Sequence, residues 1–217
     1  MIELPASTIV NKMVPKNAFY KHIDVSSRMK NLFVSDIEKI IWANKISPFT
    51  LCVSDGRYVH EITVFDVLLK HKEYSKDLFL FIDKNIPRHT LFILSFNGEL
   101  SLLLNYKEPD MSSSLFNVVD TFQTSWALPN DLQLRVCGTN MDIIYENIVR
   151  YVAGSQIYYS TDDLSCDIQK TKRRNAIMKD ISILKSKIQA EPQPHKKFYM
   201  HKLSLIHISE PTRLLSI

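Results

Sequence analysis

From Met29 to Ile41 the apolar residues Met29, Leu32, Phe33, Ile37, Ile40 and Ile41 recur at three- and four-residue steps. That period predicts one helix, capped by Ser26 or Ser27, running to about Asn44 and closed by Pro48. Ahead of it, Pro5 and Pro15 interrupt a segment with few periodic apolar positions, and Pro15 suits the first turn of a short helix. After Thr50 the period falls to two. TLCV (50–53) predicts a short strand, SDGR (54–57) a turn, and HEITVFDVLL (60–69) a strand rich in branched and aromatic side chains. Alternation puts Ile62, Val64, Asp66 and Leu68 on one face, and Glu61, Thr63, Phe65 and Val67 on the other. Apolar groups on both faces mark a strand from the middle of a sheet.

The pattern turns helical again at KDLFLFIDKN (76–85), which Pro87 stops, and HTLFILSF (89–96) predicts a second strong strand. Asn97-Gly98 between that run and ELSLLLNY (99–106) predicts a tight hairpin, because both residues tolerate positive φ. VDTFQTSWAL (119–128) and LQLRVC (132–137) are further strand candidates, and Asn140 can cap a helix from Met141 to about Val152. These elements predict an α+β fold over residues 1–153, with a mixed, largely antiparallel sheet packed by helices. A tyrosine-rich linker (154–163) leads to a basic amphipathic helical extension (164–202). There Ile177, Ile181, Leu184 and Ile188 step by four, three and four. That spacing reads equally as a coiled-coil seam for a partner helix and as a face that packs on the domain.

Charge sharpens the picture of the extension. Net charge is +4, yet residues 1–164 hold 16 basic and 19 acidic side chains, against 10 and 3 in residues 165–202. The positive character belongs to the extension, where Lys170, Lys172, Arg173, Arg174 and Lys179 are candidate contacts to a nucleic-acid backbone. Bases near a helix N-terminus oppose its dipole, which favours a partner that supplies negative charge. Arg88, just after Pro87, is a further candidate: it can meet a phosphate, or simply pair with a local carboxylate. No apolar run reaches about 18 residues, so no membrane span is expected. Cys52, Cys137 and Cys166 are too widely spaced for a CxxC pair, and the first two are expected as buried thiols in a reducing cytosol.

Phosphate-cradle and zinc-protease motifs are missing, and with four glycines the chain has no glycine-rich loop. Neither a cofactor nor a metal site is expected. The one catalytic pattern to weigh is acidic: Glu61, Asp66 and Lys70 lie on or beside one predicted strand, as in nucleases that hold divalent metals. Asp66 and Lys70 are four apart, however, where such a site wants two. The competing account makes Glu61 and Lys70 solvated strand ends and Asp66 a paired side chain.

LPxxTxVNKxxPKxxFY (4–20), IEKIIWxxKISP (37–48), EITVFDVLLK (61–70), IDKNIPRHTLFIL (82–94) and YENIVR (145–150), in this order and spacing, resemble the prokaryotic family called domain of unknown function 4391. The resemblance implies an accessory protein lying beside a helicase and a DNA methyltransferase in restriction-like defence clusters, and assigns no catalytic residue. It also implies a second acid where this chain has Leu68 or Leu69, a departure that weakens the nuclease pattern. The expected function is therefore a non-catalytic, cytoplasmic accessory subunit or adaptor of DNA-processing machinery, with helicase or methyltransferase partners. Alternatives are a nucleic-acid-binding or metal-nuclease-like component, and a self-associating structural protein. Residues 203–217 stand apart: LSLIHISEPTR (203–213) resembles the translation of a sequencing-library adapter, so this stretch is expected to be non-native and the extension truncated near Lys202.

Overall fold

Alternating apolar runs build a six-stranded sheet among the described residues, ordered β1 to β6 as in the sequence. The computed structural model describes residues 2–21, 25–109, 116–190, 192, 193, 195, 196 and 198; the predicted non-native tail lies outside them. The strands are β1 (Ile9–Met13), β2 (Ile37–Ile46), β3 (Ile62–Leu69), β4 (His89–Phe96), β5 (Glu99–Pro109) and β6 (Phe116–Gln123). The helices are α1 (Ser27–Ser35), α2 (Pro48–Leu51), α3 (Lys76–Lys84), α4 (Met141–Ala153) and α5 (Leu164–Ala190). Neighbouring strands run antiparallel except β3 and β4, which run parallel because α3 carries the chain back between them. The chain divides into two compact units, Met1–Gly154 and Ser155–Ile217. The sheet belongs to the first and α5 to the second.

Each face of the sheet is apolar, as alternation along β3 requires. One face buries Phe65, Val67, Phe92, Leu94 and Leu103 against Phe33 of α1 and Leu78, Phe79 and Ile82 of α3. Each such side chain contributes about 1.5–3 kcal/mol by leaving water. The opposite face carries Ile62, Val64, Leu91, Leu102 and Leu104, and α4 lies against β5 and β6 with Ile144, Ile148 and Val149 buried. Asn97 (φ 48°) and Gly98 (φ 81°) make the β4–β5 hairpin turn, and the Asn140 side chain caps α4 by accepting from Ile143 N.

The predicted long helix is corrected: it stops at Ser35, and Ile37–Ile46 is β2. A register shift between Ile37 and Lys39 marks a bulge, so Ile37 and Ile40 are both buried across a three-residue step. A bulged strand thereby imitates helical spacing. TLCV is likewise not a strand. Pro48 opens α2 after a Ser47–Thr50 capping box, and Cys52 follows in left-handed conformation at φ 54°. Cys52 and Cys137 are exposed, not buried, because Cys52 ends α2 and Cys137 lies in irregular chain, neither of them in a ladder. LQLRVC makes no strand; Arg135 there forms an isolated bridge to Glu3. Unexpected from the sequence is β1, a short edge strand bulged between Ile9 and Lys12 with Asn11 at φ 48°.

Candidate functional site

Parallel pairing sets the starts of β3 and β4 side by side (Ile62 opposite His89), and antiparallel pairing brings the end of β5 and the start of β6 to the same edge. The N-terminus of α4 and the 54–61 turn close over this sheet end. A cleft opens there, lined by Arg57, Tyr58, His89, Lys107, Asp142 and Tyr145. A neighbouring hollow shares Tyr58 and His89 and adds His60, Glu61, Arg88 and Phe116.

Asp142 organises the turn. Its carboxylate, in the first turn of α4, accepts from the backbone N–H groups of Arg57 (2.6 Å), Tyr58 (3.1 Å) and Val59 (2.8 Å). Gly56 is required by this approach: a Cβ there would lie 2.4 Å from the Val59 carbonyl oxygen and 2.6 Å from Asp142 Oδ1. The guanidinium of Arg57 sits 5.1 Å from the Tyr58 ring centre. His60 Nδ1 lies 3.0 Å from Asp55, and that hydrogen bond holds the Asp55 carboxyl below its ordinary value.

Beneath the cleft lies a buried polar core. Lys107, 1% exposed along its side chain, donates from Nζ to the carbonyl oxygens of Asp83 (2.7 Å), Ile86 (3.2 Å) and Arg88 (2.6 Å). Those three bonds match the three ammonium protons, and Asp83 Oδ1 stands 2.7 Å away in charge contact. Burial pushes the Asp83 carboxyl up and the Lys107 amine down, and each partner's charge opposes the shift of the other. His89 is 2% exposed, with ring centres of Phe116 at 4.6 Å and Tyr145 at 4.3 Å. Burial, reinforced by Lys107, lowers its pKa to about 3, so the imidazole is neutral at physiological pH. The Tyr145 hydroxyl accepts from Lys107 N at 3.3 Å, and burial raises its pKa well above 10.

The acidic pattern read from the sequence is spread along β3. Glu61 binds Arg88 and Lys45, each at 2.9 Å. Asp66 sits midway, its carboxyl raised by burial and offset by Lys39. Lys70 follows the other end of the strand and donates to the Val34 carbonyl at 2.8 Å. Nine residue steps along an extended strand separate Glu61 from Lys70 by about 30 Å. Arg88 is thus in a local ion pair. In the second unit, Lys172, Arg173 and Lys179 are exposed on α5, whereas Lys170 and Arg174 are half-buried. Arg174 lies 5.7 Å from the Tyr158 ring centre. Asp83, Lys107, Asp142 and Tyr145 escaped the sequence reading. Asp83 and Lys107 look like solvated ends of a helix and a strand, and no local signal distinguishes them.

An α+β protein whose sheet-end charges are bound up with one another is the class that fold and site define. The chain belongs to the family described as Domain of unknown function (DUF4391), whose model matches residues 2–203. No curated protein and no solved structure matches it. Among the described residues no helix is long and apolar enough to cross a membrane.

Proposed function

We propose that this chain is a non-catalytic accessory subunit that docks onto larger DNA-processing proteins through α5. What supports the reading is the arrangement of side chains around that helix, on which Ile177 and Ile181 are already buried while Leu184 and Ile188 are half-buried. At about 100° per residue, Lys170, Arg173 and Arg174 share a band about 100° wide with Ile177, Ile181, Leu184 and Ile188. Leu164, Ile168 and Thr171 lie roughly 140° around from that band. The apolar seam therefore does not extend upstream as further heptads; it is preceded by bases, a pattern that suits an acidic and apolar partner surface better than a coiled coil. The sheet-end groups support the same reading, since their engagement in fixed internal contacts favours a rigid recognition surface over proton transfer.

The test is reconstitution with the helicase and DNA methyltransferase that the family resemblance implies as partners, read by size exclusion with light scattering. A complex with the natural chain, lost in R173E/L184D at unchanged circular dichroism, is the expected result. Magnesium-dependent cutting of duplex DNA by the chain alone would refute it and favour the nuclease-like reading. A direct nucleic-acid-binding role has the exposed Lys172, Arg173 and Lys179 in its favour. It requires binding that weakens steeply with salt and with the reversal of those charges.

A further inference from the structure

In the second unit, the segment that leads into α5 folds back along the helix and is pinned there. Tyr158 N donates to Thr171 Oγ1 at 2.9 Å, and the backbone N–H and hydroxyl groups of Ser160 and Thr161 donate to Asp167 Oδ1 at 3.0–3.1 Å. At about 100° per residue, Arg174, Asp167 and Thr171 stand about 40°, 60° and 100° around the helix from Lys170. The pinned segment therefore runs beside the basic band. Ile157 is buried, but Tyr158 and Tyr159, the next two residues, are 41% and 39% exposed. The Arg174 guanidinium lies 5.7 Å from the Tyr158 ring centre. Among the described residues no carboxylate pairs with Lys170, Arg173 or Arg174. The acids of this stretch do not offset them. Asp162 and Asp163 precede the helix, about 15 Å or more along its axis from Arg174, and Asp180 faces about 120° away. The Asp167 carboxylate is buried and taken up by its donors from Ser160 and Thr161.

We propose that this corner of α5 binds single-stranded nucleic acid, with an unpaired base lying on Tyr158 and the flanking phosphates on Lys170, Arg173 and Arg174. The chemistry is that of sequence-tolerant strand binding. Every base has a π-face for a tyrosine, and each guanidinium meets phosphate oxygens through a planar fork. A duplex keeps its bases stacked inside and offers this corner phosphates alone. Pinning matters too, because a tyrosine presented on a held backbone loses little freedom when a base covers it. The inference rests on the direct nucleic-acid reading of α5 and adds to it which form of nucleic acid is recognised.

The experiment follows fluorescence anisotropy of labelled oligo-dT and oligo-U of about 15 nucleotides, and of a duplex of the same length, against the full chain. A single strand should bind at least about fivefold tighter than the duplex, and the tighter of the two oligomers tells DNA from RNA. Tyr158→Leu keeps the backbone bond to Thr171 and melts as before. It should weaken the single strand at least about fivefold and leave the duplex unchanged, while Tyr158→Phe binds like the natural chain. Arg174→Gln should weaken both forms. Equal affinity for strand and duplex, or Tyr158→Leu binding a strand as tightly as Tyr158→Phe, overturns this inference and leaves charge-driven binding standing. No binding to any of the probes overturns both.

Discussion

Replacing Lys107 with Met removes the one cation from a site where nothing else can take its place. Asp83 is 0% exposed along its side chain, and the carbonyls of Asp83, Ile86 and Arg88 all turn toward the ammonium. Taking one partner from a buried pair strands the other charge, which typically costs about 3–5 kcal/mol, against a total stability of about 5–15 kcal/mol for a domain. Lys107→Met should therefore lower the unfolding free energy by about 3–5 kcal/mol, read by urea denaturation through tryptophan emission. Part of that loss is charge. Asp83→Asn in the same background should restore about 1.5 kcal/mol or more, while the stranded carbonyls keep the double variant below the natural chain. With the ammonium gone, burial outweighs the remaining hydrogen bonds of Thr90 and Asn105 and holds the Asp83 carboxyl above its unfolded value. A carboxyl raised on folding stabilises the fold below its unfolded pKa and loses that contribution as pH rises through the folded value. The deficit of Lys107→Met should accordingly be smallest near about pH 4 and grow toward neutrality. A loss below about 1 kcal/mol at pH 7, or no coupling between the two positions, would refute this account of the pair.

Acid should destabilise the domain through His89, whose pKa falls to about 3 on folding. Stability held by a lowered histidine is fully present above its unfolded value and drains by about 1.4 kcal/mol per pH unit as pH falls toward the folded one. The gap between the natural chain and His89→Phe should change with pH between about 6.5 and 3, and the His89 ring proton signals should not titrate above about pH 4.5. Asp142→Ala removes the acceptor for three backbone amides and should cost about 1–3 kcal/mol, with faster hydrogen exchange confined to residues 57–59. Gly56→Ala drives a methyl into the Val59 carbonyl and Asp142 and should cost about 1–3 kcal/mol in the same assay. Cys52 and Cys137, both exposed, should react with a thiol reagent in the native protein faster than the half-buried Cys166.

Local chemistry was written plainly along the chain. The period of two in β3 and β4, the Asn97-Gly98 turn and the Asn140 cap each depend on residues within a few positions of one another. They are legible without knowing what lies across the sheet. Ile37–Ile46 misleads for an equally physical reason: a bulge lets a strand bury side chains three apart, and the sequence records the spacing without the ladder that causes it. β1 has no period to read because its pairing partners lie some thirty residues on, at Ile41, Trp42 and Asn44.

The site belongs almost wholly to tertiary structure. Glu61, Asp66 and Lys70 suggested a shared centre because they are near in sequence, yet an extended strand spreads them, and Glu61 and Lys70 are bound at opposite ends. Lys107 and Asp83 stand 24 positions apart, and Asp142 is 83 to 85 positions from the amides it holds. A charge becomes expensive, and therefore structurally decisive, only when the fold removes its water. Composition and period alone determined an α+β domain followed by a basic helix. Which polar groups lose their solvent, and which partners then replace it, was decided by the packing of α3 and α4 on the two faces of one sheet.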